Sequence, residues 1–368
     1  MVDAFTPDIF SVSTPTFHVL PDAKAAQIAA ILSEHYPDRR ADPRDIAQAG
    51  GLEINSNNFR FTDRSETFLL KRTGTTVKQA VLNAQFQISE TLRKRGVPFP
   101  AAVPNLDGNV VSRGSDGRCW ILTQFVDGAY FAGGRSELLN VGKGIGLLQR
   151  HLHDQASSDL TASNSLDAIS CFQESVARLF DSRQHWHEIF PEQATKLLTE
   201  DEALLRKIAA RIVDTLPRLA QLPSEVCHFD LHPHNILVRL EKLAAFVDVD
   251  SLQINRRALA IAFSTFKLVR QHAAQLGLAL CDKDEIAEAA ADFVGAIREG
   301  IELLPSEVES LEDLAMFEVF RRILSITDLN IVSRDITWNR VLIMQLAALR
   351  EIPIIFARLP GQSARALP

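Results

Sequence analysis

The sequence predicts an α+β chain in two parts: a small strand-rich N-terminal lobe and a larger, mainly helical C-terminal lobe. Three observations carry this expectation. Ile46 to Arg72 is rich in short apolar and β-favouring runs broken by turn residues, the pattern of paired strands. Beyond Gly128, apolar residues recur mostly at helical spacing, as in Leu138, Val141, Ile145, Leu148 and Leu152. The helical part is interrupted by a polar stretch, Val226 to Asn235, that runs into two short apolar segments. A chain of 368 residues, 46% hydrophobic and 23% charged, suits two domains or one two-lobed domain with a large core, and argues against bulk disorder.

The formal net charge of −7 argues against nonspecific nucleic-acid binding and accommodates a small substrate, cationic ones included. Cys119, Cys171, Cys227 and Cys281 are widely spaced, with no C-x-x-C pair. Such sparse usage suits a reducing compartment. Met1-Val2-Asp3-Ala4 lacks a basic and then apolar secretory leader, and no apolar run is long enough to span a bilayer. A cytoplasmic location without membrane partners is the expectation.

In chain order, residues 1–44 read as a loosely docked arm followed by a helix from Asp22 that stops before Pro37. Residues 45–127 form the small lobe. Phe59-Arg60-Phe61 and Thr67-Phe68-Leu69-Leu70 flank Asp63-Arg64-Ser65-Glu66, a hairpin turn. Ahead of them, the small and amide residues from Gly50 to Asn58, with Ser56 among them, could offer backbone N–H groups to phosphates, or form a plain surface turn. A helix is expected from Val77 to Arg95, with Val81, Ala84, Ile88 and Leu92 on one face. Residues 128–368 form the large lobe, with further helices near 166–190, 196–219, 257–276, 283–302, 306–332 and 334–351. Arg321-Arg322 on one of these could face a phosphate or solvent, and solvent is the expectation. Asp282, Asp284 and Glu285 could meet an amine, or serve as acids at a helix N-terminus.

The chemistry sits in Cys227-His228-Phe229-Asp230-Leu231-His232-Pro233-His234-Asn235 and in the later Val247-Asp248-Val249-Asp250. Ile236-Leu237-Val238 and Ala244 to Val247 read as two buried strands joined at Glu241-Lys242, which brings Asn235 and Asp248 to the same end of the pair. Phosphoryl transfer from ATP needs one carboxylate at the attacking hydroxyl, plus an amide oxygen and a second carboxylate to hold Mg2+ on the phosphates. Asp230, Asn235 and Asp248 supply these groups in that order. Two other readings stay open: a polar loop before a buried hairpin, and a zinc hydrolase site built on His228, His232 and His234. Pro233 interrupts the strand that the second would need.

These residues resemble the aminoglycoside phosphotransferase and choline kinase family, whose loop reads roughly H-G-D-L-H-P-G-N-I-L and whose metal segment reads I-D-W-E. Phe229 and His234 stand where the family has Gly, and Val249-Asp250 stands for Trp-Glu. The resemblance implies a protein-kinase-like fold, ATP and Mg2+ as cofactors, and phosphorylation of a hydroxyl on a small molecule such as an aminoglycoside, a sugar or an amino alcohol. The turn residues also resemble those of homoserine kinases. Residue by residue it makes Asp230 the base, Asn235 and Asp248 the Mg2+ ligands, and Lys71 the strand lysine on the phosphates. Cys119 to Gly128 resembles the segment joining the lobes, which assigns Gln124, Phe125 and Val126 to adenine. Gln85 falls where the family has the glutamate paired with that lysine. Either its amide oxygen contacts Lys71 or another acid substitutes. The missing glutamate leaves an inactive, ATP-binding relative as the alternative. No activation segment of the protein-kinase kind follows Asp250.

Overall fold

The computed structural model describes residues 15–49, 57–74, 76–155, 159–160, 162, 166 and 169–360. The small lobe is an antiparallel sheet. It comprises β1 (Phe17–Val19), β2 (Ala47–Ala49), β3 (Asn58–Asp63), β4 (Glu66–Arg72), β5 (Ala102–Val103), β6 (Val111–Arg113) and β7 (Cys119–Gln124). The strand order is β1-β2-β3-β4-β7-β5, with β6 also on β7. Two helices accompany it, α1 (Asp22–His35) and α2 (Gln79–Lys94).

Alternation along β4 and β7 divides the lobe into two packed faces. Phe68 and Leu70 of β4, with Trp120 and Leu122 of β7, pack with Ile28 and Leu32 of α1. Cys119 and Ile121, the intervening positions of β7, join Leu82, Phe86 and Leu92 of α2 in the core that continues into the large lobe. Lys71 follows buried Leu70 and pairs with Ile121 in register, so its side chain projects from the second face, toward the large lobe.

After β7 the chain crosses to β8 (Ala129–Tyr130), which pairs with β10 (Ile236–Arg239), itself paired with β11 (Lys242–Phe246). The expected hairpin therefore forms, with Ile236 opposite Phe246. A second ladder joins β9 (Ser224–His228) to β12 (Leu252–Arg256). The two ladders bracket the polar loop from both ends.

Helices build the rest: α3 (Arg135–His153), α4 (Ile169–Asp181), α5 (Trp186–Ile189), α6 (Glu192–Glu200), α7 (Glu202–Leu219), α8 (Arg257–Gln275), α9 (Lys283–Arg298), α10 (Pro305–Val308), α11 (Leu311–Asp328) and α12 (Asn339–Ile355). The periodicity had merged α4 with α5 and α6 with α7. The breaks fall at Arg183–His185, a short 3₁₀ turn, and at Asp201, whose backbone leaves the helical region (φ −101°, ψ 9°). Asp201 pairs with Arg350 of α12, a tertiary contact with no local signal. The helix expected near 306–332 is α10 and α11, split around Glu309 and Ser310 and continued by one π-helical turn over Leu329–Ser333. On α3, a Cβ at Gly146 would lie 2.2 Å from the Ile297 carbonyl oxygen, so only glycine permits this approach to α9.

Candidate active site

The site forms where three ladder ends meet below β4. Local sequence explains the loop. His228 closes β9 and is buried, so burial holds its pKa below the usual histidine value, although the Val247 carbonyl and nearby carboxylates favour the charged form. The neutral ring donates from Nε2 to the Val247 carbonyl at 3.0 Å and accepts the Asp230 N–H at Nδ1 at 3.4 Å. His228 thus ties the Asp230 loop to the Asp248 loop and is spent in doing so. The Phe229 N–H donates to the Ser251 carbonyl and the Val247 N–H to the Asn235 carbonyl, so backbone bonds complete the tie.

Asn235 is buried, and its amide nitrogen donates to the Asp230 carbonyl at 2.8 Å and to the Asp230 carboxylate at 3.3 Å. That commits the nitrogen and leaves the amide oxygen as an acceptor. Asp248 stands just beyond β11 with φ +65° and ψ 50°, a left-handed backbone that acidic and amide side chains tolerate better than others. Its carboxylate accepts from the Ser251 hydroxyl at 3.3 Å.

Lys71 spans the crevice. Its ammonium donates to Asp248 and, at 2.5 Å, to Asp250. Burial disfavours the charged lysine, but the two carboxylates outweigh it and push its pKa above the ordinary value. Burial likewise opposes ionisation of Asp248, yet the lysine charge wins and holds it at about 2. Asp250 is shifted the other way, by burial and by the neighbouring Asp248 charge. One ammonium shared by two close carboxylates cannot depress both.

Gln85 does not contact Lys71 through its amide oxygen, which corrects one of the two expectations. Its Nε2 donates instead to the Asp250 and Leu252 carbonyls, each at 2.8 Å. Two converging carbonyls select the nitrogen end of the amide. The other alternative is what occurs: an acid outside the helix, Asp250, pairs with Lys71, and α2 holds Asp250 in place by its backbone. Gln85→Leu should therefore lower stability by about 1–3 kcal/mol, because two carbonyls lose their donor, with the loss read from urea unfolding.

Asp230 accepts from Arg322 Nη2 at 3.3 Å, and His232 Nε2 lies 3.5 Å from its other oxygen. Burial would raise its pKa, but His232 and Arg322 together hold it well below the usual carboxylate range. The expectation that Arg321-Arg322 face solvent fails for Arg322, which reaches the loop from α11. Glu318, one turn earlier and fully buried, accepts from Arg322 Nε at 2.7 Å and from Arg321 at 2.7 and 2.9 Å. An i, i+4 Glu–Arg pair was visible in the sequence. Its direction was not, because both faces of α11 are buried.

At the lobe junction, Gln124 is exposed, and its N–H donates to the Ala101 carbonyl. The Phe125 N–H donates to the Thr67 carbonyl, and its ring meets Phe17 edge-on at 5.8 Å, with the Arg60 guanidinium 5.7 Å away. These two N–H groups are committed to the sheet, which leaves the Val126 N–H and the backbone carbonyls of this segment as the polar groups it can offer a base. Ser56 lies outside the described residues.

The His232 and His234 rings meet edge-on at 5.6 Å, whereas His228 is taken up by the Val247 carbonyl. The His234 ring lies edge-on to Tyr130 at 5.0 Å, and among the described residues no group of three His, Cys, Asp or Glu side chains is placed to hold a metal ion together. Two surface grooves, one beside α1 at Leu32 and Arg40 and one beside Phe125 and Asp127, contain none of Lys71, Asp230, Asn235, Asp248 and Asp250. Among the described residues no helix is long and apolar enough to cross a membrane.

A strand lysine clamped onto two loop carboxylates, with an Asp–Asn pair beside them under a β-rich lobe, defines a phosphotransferase of the small-molecule kinase type. The chain belongs to the phosphotransferase enzyme family (APH), whose model matches residues 45–293. No curated protein matches the sequence. Several solved structures share the fold. The amicoumacin kinase hAmiN, solved with AMP-PNP, Ca2+ and Ami, is 12% identical, with a TM-score of 0.64 over 89% of this chain and 93% of that one. Aminoglycoside 2'-phosphotransferase-IIIa with GDP is 14% identical, with a TM-score of 0.60 over 89% and 98%. A microcompartment-associated aminopropanol kinase is 16% identical, with a TM-score of 0.58 over 88% and 95%. At such identities the likeness is one of fold.

Proposed function

We propose that the protein transfers the γ-phosphoryl group of ATP to a hydroxyl of a small molecule. The observation that carries this reading is the Lys71–Asp248–Asp250 cluster, which joins the small lobe to the loop holding Asp230 and Asn235. We assign residues 45–127 to the nucleotide lobe, residues 128–368 to the acceptor lobe, and residues 1–44 to an extension whose helix packs on the small lobe.

Asp230 orients the acceptor hydroxyl and takes its proton. Its lowered pKa keeps it ionised and able to accept, and the Asn235 amide fixes its orientation. Lys71 neutralises the α- and β-phosphates, and Val126 offers its N–H to adenine. The Asp248 carboxylate and the Asn235 amide oxygen are the hard oxygen donors that Mg2+ takes alongside nucleotide phosphates, and the commitment of the Asn235 nitrogen to Asp230 leaves that oxygen available. Bound there, Mg2+ would offset negative charge on the phosphate oxygens. The pairing of Lys71 with Asp250 in place of a helix glutamate supports an active enzyme over an inert relative. We place the protein in the cytoplasm, where its four free cysteines stay reduced.

ATP with Mg2+ should raise the melting temperature as its concentration passes the dissociation constant. At 100 times that constant the stabilisation is about 2.7 kcal/mol. No shift at millimolar ATP and Mg2+, in folded protein, would overturn the reading.

A further inference from the structure

We propose that the acceptor alcohol carries an anionic group, a carboxylate or a phosphate, and that Arg322 receives it, releasing Asp230 as the acceptor enters. This deepens the phosphotransferase reading and rests on it. Arg322 lies outside the segment that the family model matches, so nothing in that match assigns it.

Several features place a fixed cation beside the base. Glu318 has no exposure and anchors Arg322 through Nε at 2.7 Å, a short charge-assisted bond. The Phe263 ring of α8 lies 4.3 Å from the guanidinium and supports its face. Phe263 in turn stacks on Phe229, the residue before Asp230, at 6.4 Å and 18°. The guanidinium is thus held in orientation by α11, α8 and the loop. Its bond to Asp230, by contrast, is 3.3 Å long, and the two side chains keep 28% and 32% exposure. The tight anchor and the looser bond differ in how easily they exchange. Bonds to Glu318 and Asp230 use Nε and Nη2, which leaves Nη1. The Nη1–Nη2 edge is the planar fork that grips a carboxylate or phosphate with two parallel bonds.

The same geometry disfavours an ammonium at this place. Glu318 Oε1 accepts from Arg321 and Arg322 and Oε2 from Arg321, so Glu318 presents no lone charge to an amine. Among the described residues, the acid that contacts Arg322 besides Glu318 is Asp230, which the hydroxyl needs. In the proposed sequence the acceptor anion replaces Asp230 on the Arg322 fork, and the freed carboxylate takes the hydroxyl proton. The acceptor oxygen then bonds to the γ-phosphorus, and the bond to the β–γ bridging oxygen breaks with its electron pair leaving on ADP. A neutral or cationic alcohol would leave Arg322 on Asp230.

ADP release by the full chain, with ATP and Mg2+, should be measured on matched acceptors. Suitable pairs are homoserine and 3-aminopropanol, serine and ethanolamine, and gluconate and glucose, together with a sugar phosphate and kanamycin. Nucleotide binding is followed separately by thermal shift. The expected result is turnover confined to the carboxylate or phosphate members. The arm that responds tells the two anions apart. Arg322→Gln should raise KM for that acceptor roughly 10- to 100-fold, and Arg322→Lys, which keeps charge and loses the fork, should recover part of it. The intact nucleotide shift of both variants guards against misfolding. Preference for neutral or cationic members, or an unchanged KM in folded Arg322→Gln, would overturn the proposal and leave the phosphotransferase reading in place. Silence of every anionic alcohol with nucleotide binding intact would overturn it too. Loss of nucleotide binding by the parent protein would instead sink the underlying reading.

Discussion

Asp230→Asn should cut turnover by about 10²–10⁴-fold, the range for loss of a positioned general base, while nucleotide affinity stays close to that of the parent. The size of the side chain is kept, so the effect reports charge and proton acceptance. Some stability should also be lost. Asp230 receives Asn235 on one oxygen and Arg322 on the other, and an amide can present an oxygen to only one of them. The native charge also sets the pH response. A carboxylate held well below its ordinary range stays ionised as pH falls, so protonation of Asp230 should not limit turnover above about pH 4. ADP release in the two proteins, with thermal shift for binding, decides the matter. If the variant turns over like its parent, the base lies elsewhere and Asp250 is the first candidate.

Asp248→Asn and Asp250→Asn should separate two acids that share one lysine. Asp248→Asn removes the carboxylate that the lysine holds at about pKa 2, and with it the donor proposed for Mg2+. We expect Mg2+-dependent nucleotide binding to weaken and kcat to fall about 10²–10³-fold, the loss typical of one preorganised charge at a reacting phosphoryl group. In Asp250→Asn the lysine keeps Asp248, and the Gln85 bond to the backbone at position 250 survives. Nucleotide binding should then change little, and turnover should fall less than in Asp248→Asn. The contrast is measured by titrating Mg2+ at fixed ATP. An Asp248→Asn protein that binds ATP and Mg2+ like the parent would remove Asp248 from the metal site.

The spacing of Asp230, Asn235 and Asp248 was readable because one local unit places all three. A loop and a two-stranded hairpin bring Asn235 to the end at which Asp248 begins, and the hydrophobic pattern of the two strands sets that register. Lys71 was readable for a similar reason: once Phe68 and Leu70 face the α1 core, alternation turns Lys71 to the other side. The chemistry of phosphoryl transfer then restricts what such a set can serve.

Tertiary structure alone decided who partners whom. Lys71 meets Asp248 and Asp250 across 177 and 179 residues, and Gln85 reaches the Asp250 carbonyl across 165. Arg322 reaches Asp230 across 92. No periodicity encodes these meetings, because they depend on how helices and ladders pack. The Gln85 amide faces two carbonyls only once α2 lies over the turn that follows Asp248. Arg322 turns from solvent to the base only because α11 is buried on both faces and Glu318 fixes the guanidinium from within. Local sequence determined which candidate groups share the loop and the hairpin. Packing determined that an acid from the Asp248 turn pairs with Lys71 and that the Arg322 cation stands at Asp230, since charges this close to one another settle only when the whole core has set their distances.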